Sequence, residues 1–136
     1  MSATAEIKQH DRRPYLRAAL LDGAEAQFAV AGGELLAVKF RPVTDITQVL
    51  SATGYLITGL DEYVTAPSGA QVHITQAVEH RWLTTGAPWA SGVHTGLAGL
   101  FDWEVEHKNS AGEPRTFPIV GYNTLIVYDD IDVIQP

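Results

Sequence analysis

Cysteine is absent from this 136-residue chain. That excludes disulfide staples, thiolate metal sites and cysteine nucleophiles. It does not fix a compartment, because a protein assembled in a cytosol can work outside a cell. Positive charge is scarce. Nine Lys and Arg against sixteen Asp and Glu leave a formal net charge of −7. A nucleic-acid binder needs a basic stripe to meet phosphates, and here the basic residues are scattered. The adjacent pair Arg12-Arg13 sits beside Asp11 and Pro14. Nucleic acid and anionic membrane surfaces are therefore not expected partners. No apolar run approaches the ~20 residues needed to span a bilayer. Met1-Ser2-Ala3-Thr4-Ala5-Glu6 lacks the basic start and apolar stretch of a signal peptide. The expectation is a soluble protein made in a cytoplasm.

Catalytic patterns are lacking too. No Gly-X-Gly phosphate loop and no serine elbow occurs. Five histidines invite a metal reading, but His73, His80, His94 and His107 have no ligand-type spacing. Asp129-Asp130 with Asp132 lacks the fixed offsets, central Gly and terminal Glu of an EF-hand loop. Acids after a strand more often blunt an edge or accept turn hydrogen bonds, so at most a weak calcium site stays open there. Asp102, Glu104 and Glu106 fall on one strand face, where glycosidases use carboxylates from separate strands across a cleft. They read as a solvated or partner-facing surface. No enzyme, cofactor or metal site is expected.

What the chain does have is β-type alternation. Leu100-Phe101-Asp102-Trp103-Glu104-Val105-Glu106-His107 places Phe101, Trp103 and Val105 against three acids with period two. Lys108 to Pro114 is a run of turn formers, and Tyr122-Asn123-Thr124-Leu125-Ile126-Val127-Tyr128 is a second β run. Leu100 to Asp130 thus reads as a closing hairpin. Upstream, Tyr15 to Leu21 is too short for a helix before the Asp22-Gly23 turn and reads as a strand. Glu34 to Arg41 alternates Leu36, Val38 and Phe40 with Lys39 and Arg41, and Pro42 ends it. Tyr55 to Thr58, Tyr63 to Thr65, Ala70 to Gln76 and Val78 to Leu83 are further strands, with a Pro67-Ser68-Gly69 turn. Thr44 or Asp45 is placed to cap one short helix within 44–52.

Hydrophobic residues at 46% and charged residues at 18% fit one globular domain over 1–136. Residues 1–13 read as a polar arm, and Ile131 to Pro136 as a tail with apolar alternation, suited to an edge strand. The fold class is all-β: a single antiparallel β-sandwich of immunoglobulin-like size, without the Cys-Trp-Cys pattern of antibody domains.

Interface candidates remain. Trp82 and Trp103 read as core. Trp89, between Pro88 and Ala90, is either a contact anchor or a ring folded over the end of the sandwich. Tyr55, Tyr63, Arg12 and Arg13 complete the candidate partner contacts.

Two stretches carry a family resemblance. Lys8-Gln9-His10-Asp11-Arg12-Arg13-Pro14-Tyr15-Leu16, then Leu20-Leu21-Asp22-Gly23, is similar to the opening of small phage proteins related to the N-terminal domain of the baseplate upper protein. Ala98-Gly99-Leu100-Phe101-Asp102-Trp103-Glu104-Val105, Gly112, Thr116-Phe117-Pro118, Gly121-Tyr122 and Asp129-Asp130 follow the order of that family's C-terminal half. Residues 43 to 83 depart from it. The resemblance implies a β-sandwich in a tailed-phage virion: an accessory subunit of tail or baseplate, made in the host cytoplasm and either homo-oligomeric or present in several copies. Its partners would be other virion structural proteins. With the chain ending at Pro136 the domain is expected to stand alone, so decoration of a capsid shell is the alternative. A carbohydrate-binding module, with Trp89 and Tyr55 or Tyr63 stacking on sugars beside carboxylates, is a second class. A cupin-like metalloenzyme using His73 and His80 is a third.

Overall fold

The computed structural model describes residues 4–8, 15–45, 47–81, 99–119 and 121–128. The strands within them are β1 Thr4–Lys8, β2 Leu16–Ala18, β3 Leu35–Pro42, β4 Leu50–Thr53, β5 Tyr55–Ile57 and β6 Glu62–Thr65. They continue as β7 Gln71–Ile74, β8 Ala77–His80, β9 Gly99–Lys108, β10 Pro114–Phe117 and β11 Asn123–Tyr128. The larger sheet has the order β1-β11-β9-β3-β4, with β10 also on β9. The smaller has the order β2-β8-β5, and β6-β7 form a separate hairpin. This is the expected all-β sandwich.

β3 and β9 form its spine because both alternate cleanly. Their register sets Phe40 opposite Trp103 and Val38 opposite Val105. Val38, Phe40, Phe101, Trp103 and Val105 are each no more than 2% exposed, and they pack on Leu16, Leu20 and Val78 from the other side of the sandwich. Each such side chain contributes about 1.5–3 kcal/mol through burial. The Trp103 indole N–H is buried with no acceptor among the described residues.

Several expectations need correction. No helix occurs over 44–52 among the described residues. Asp45 closes a turn instead: its Oδ1 accepts from Thr47 N at 3.2 Å and Thr47 Oγ1 at 2.6 Å. Asp45 N and Gln48 N reach back only three residues, to Pro42 O and Asp45 O. The edge of β3 then captures Leu50–Thr53 as β4. The sandwich is not wholly antiparallel either. Part of the supposed N-terminal arm is β1, which pairs in parallel with β11. Ile7 lies opposite Val127 and is 5% exposed, so a short apolar alternation sits hidden in a polar stretch.

The closing hairpin is also more divided than expected. β10 pairs with β9 down to Phe117 opposite Val105, and β11 resumes with Asn123 opposite Trp103. The chain between Phe117 and Asn123 therefore bulges out across from the single residue Glu104. The turn before β10 is built by Asn109, whose Oδ1 accepts from Ala111 N at 3.0 Å and Glu113 N at 2.9 Å. Gly112 supplies a φ of 80° there.

β4 and β5 lie on either side of Gly54, so one stretch of chain passes from the larger sheet to the smaller. A Cβ at Gly54 would lie 3.0 Å from Val78 Cγ1 and 3.2 Å from Leu36 Cβ, so a larger residue at this crossing would push on both neighbours. Between turn and sheet, two glutamines replace a ladder. Gln27 Oε1 accepts from Thr75 N at 2.6 Å and Gln76 N at 3.0 Å. Gln76 Oε1 accepts from Val30 N at 2.9 Å, and its Nε2 donates to Val30 O at 3.2 Å.

Candidate functional site

The alternation that buries one face of β3 and β9 puts their charges on the other. Lys39 and Arg41 from β3 stand beside Asp102, Glu104 and Glu106 from β9, with Arg41 opposite Asp102 and Lys39 opposite Glu104. Arg41 Nε donates to Asp102 Oδ2 at 3.2 Å. Lys39 Nζ reaches diagonally to Glu106 Oε2 at 2.9 Å instead of its direct neighbour. Glu104 is left between the two pairs. Its carboxyl forms no hydrogen bond or ion pair among the described residues. Burial raises its pKa; Lys39 and Arg41 act against that, and Glu106 and Asp102 add to it. The Arg41 guanidinium is held more firmly charged, chiefly by its bond to Asp102.

The bulge after β10 completes the site. It carries Tyr122 over Arg41, with the guanidinium carbon 4.5 Å from the ring centroid. Tyr122, Val49, the two bases, Asp102 and Glu104 line a cleft of about 170 Å³. Exposed apolar residues continue the face toward the Leu100 end of β9. Val43 N donates to Leu100 O at 3.0 Å, and Leu100 pairs with Ile126. Tyr128 lies two residues further along β11 on the same outer face. Val43, Val49, Leu100, Tyr122 and Tyr128 are each 43–59% exposed. A Tyr–Arg centre with apolar residues on the same face is the composition of an interface hot spot.

The ion pairs themselves hold little of the fold together. Both partners of Arg41–Asp102 are partly in solvent, at 29% and 24% side-chain exposure. Asp102→Asn is therefore expected to shift the unfolding free energy by under about 1 kcal/mol in a urea titration. A larger loss would mean that the row serves stability and not recognition.

The other sequence candidates are not drawn to this face. Tyr55, on β5, lies under the Arg81 guanidinium at 4.4 Å, so one side of its ring is covered. Tyr63, on the β6–β7 hairpin, is 67% exposed and packs beside His73 at 5.1 Å between ring centroids. Trp89, Arg12 and Arg13 lie outside the described residues, as do Asp129, Asp130 and Asp132. His73 and His80 do not converge. His73 bonds Asp61 at 2.6 Å on the hairpin, and His80 packs against Phe40 in the core at 5.0 Å. His107 is buried. It continues the inner face of β9, with Nε2 2.9 Å from Glu34 Oε1. Among the described residues no group of three or more His, Cys, Asp and Glu is placed to hold a metal ion.

Sequence reasoning missed Arg41, Tyr122 and Val49 as parts of one site. A signal for the first existed: bases on the outer face of one strand and acids on that of another predict cross-strand pairing. Nothing local to Tyr122 signalled that a bulge would return it to Arg41. Comparisons with protein-family models, curated proteins and solved structures find no match to this chain.

Proposed function

We propose that this chain is a non-enzymatic structural protein of a tailed-phage virion, an accessory subunit of the tail or baseplate that works by protein–protein assembly. The observation that carries the reading is the outer face of β3, β9 and β11, where exposed Val43, Leu100, Tyr122 and Tyr128 share a face with the Arg41–Asp102 pair. The ordered motifs at 8–23 and 98–130 supply the phage assignment by resemblance. An immunoglobulin-like topology belongs to the same proposal. The parallel β1–β11 edge and the separation of β2, β8 and β5 into a second sheet support it.

Quantitative mass spectrometry of purified virions tests the reading. The protein is expected at about six copies per particle or a small multiple, following the closed symmetry of tail structures. Hundreds of copies would move it to the capsid surface as a decoration subunit. Absence from mature particles would overturn the proposal.

A further inference from the structure

Around the cleft both bases are already taken, and one acid is left over. Lys39 is taken by Glu106 and Arg41 by Asp102. Glu104 stands between them, across from the bulge, without a hydrogen bond or ion pair among the described residues. Burial already disfavours its charged form. A partner that covers Val43, Val49, Leu100 and Tyr122 would dry this carboxylate further. A cation brought by the partner would then offset that cost, because Lys39 and Arg41 are already engaged with Glu106 and Asp102.

Resting on the assembly reading, we propose that this face docks a different protein subunit through a Lys or Arg side chain seated on Glu104 and flanked by apolar residues. The cleft's dimensions fit that occupant. Its volume of about 170 Å³ falls below the roughly 300–1,000 Å³ of small-molecule sites. It admits the head of one side chain, while the exposed apolar residues on the same face meet that side chain's neighbours. A second copy of this chain is disfavoured. Each chain carries a net charge of −7, so two copies repel before any such faces meet. Tyr122 stacked on Arg41 gives the incoming cation an aromatic wall beside the carboxylate.

Carbodiimide coupling of glycine ethyl ester to carboxylates, performed on purified virions and on the free protein, tests this. Labelling of Glu104 is expected to drop by about tenfold or more in the particle, as for a fully desolvated charge pair. Asp61, with its side chain 91% exposed on the far hairpin, keeps its labelling and serves as the control. The protein present in virions with Glu104 labelled as in the free state would overturn the inference and leave the assembly reading standing. A virion without the protein would remove both. Glu104→Gln, checked for folding by circular dichroism, is expected to lower incorporation into particles by about tenfold or more. Undiminished incorporation of the folded variant would also overturn the inference.

Discussion

Between pH 6.5 and about 4 the free energy of unfolding is expected to fall by about 3 kcal/mol through His80 alone. His80 closes β8 and is 2% exposed, with its ring edge-on to Phe40. Burial lowers its pKa from the ordinary 6.5 to about 4. Between those values the unfolded chain takes up a proton that the folded chain refuses, so acid favours unfolding. The contribution is complete above 6.5 and is lost as the pH falls toward 4. The slope approaches about 1.4 kcal/mol per pH unit in mid-window. Other groups act elsewhere. Glu25, held down by Ser68, and Glu34, held down by His107, lose their support only below their ordinary 4.5. Glu104, raised by burial, works weakly in the opposite sense. Urea titrations at a series of pH values would show the effect, and His80→Leu should flatten the curve above 4.5. An unchanged slope in that variant would show that His80 is not the titrating group.

Glu34→Ala is expected to lower the urea midpoint of unfolding clearly, a large effect for a residue just before a strand. Glu34 Oε1 accepts from Ala31 N at 2.8 Å and lies 2.9 Å from His107 Nε2. The His107 side chain is only 4% exposed, and Phe28 packs edge-on against it at 5.1 Å. Truncation would leave a buried imidazole nitrogen and a turn amide without their acceptor, and water has little access to the ring. Glu34→Gln keeps a carbonyl oxygen in place and should lose less than half as much. Equal losses for the two variants, read from urea midpoints at constant slope, would assign the effect to packing and not to the hydrogen bonds.

The spine of the fold was legible because its signal is local. Period-two alternation in Leu36–Arg41 and Phe101–His107 names both the core and the charged face. The turns at Asp22-Gly23 and Asn109–Gly112 were legible for the same reason, since their side chains bond the backbone next to them. What stayed hidden depends on partners far along the chain. β1 is a strand because β11 offers an edge, and Ile7 is core because Val127 lies beside it. Leu50–Thr53 is strand because β3 captures it after a turn that looked like a helix start. His107 differs from an ordinary strand histidine through Glu34, 73 residues earlier. The candidate site follows the same division. Its acids were visible as an outward row, but the pairing that singles out Glu104 needs the register of β3 against β9. Tyr122 needs the bulge that breaks the return strand in two.

The outer face also explains why weak individual interactions suit the proposed role. Arg41–Asp102 and Lys39–Glu106 are partly in solvent and add little to folding. Covered by a partner, the same pairs lose water and gain directional value, which favours specificity over stability. The exposed Val43, Leu100 and Tyr128 provide the apolar area that such a contact buries.

Hydroxyl-radical footprinting of the protein, free and within purified virions, tests this account most directly. Tyr122 and Tyr128 on the outer face should be strongly protected in the particle, while Tyr63 on the β6–β7 hairpin stays reactive. Equal oxidation of Tyr122 in both states, or protection confined to Tyr63, would contradict assembly through this face.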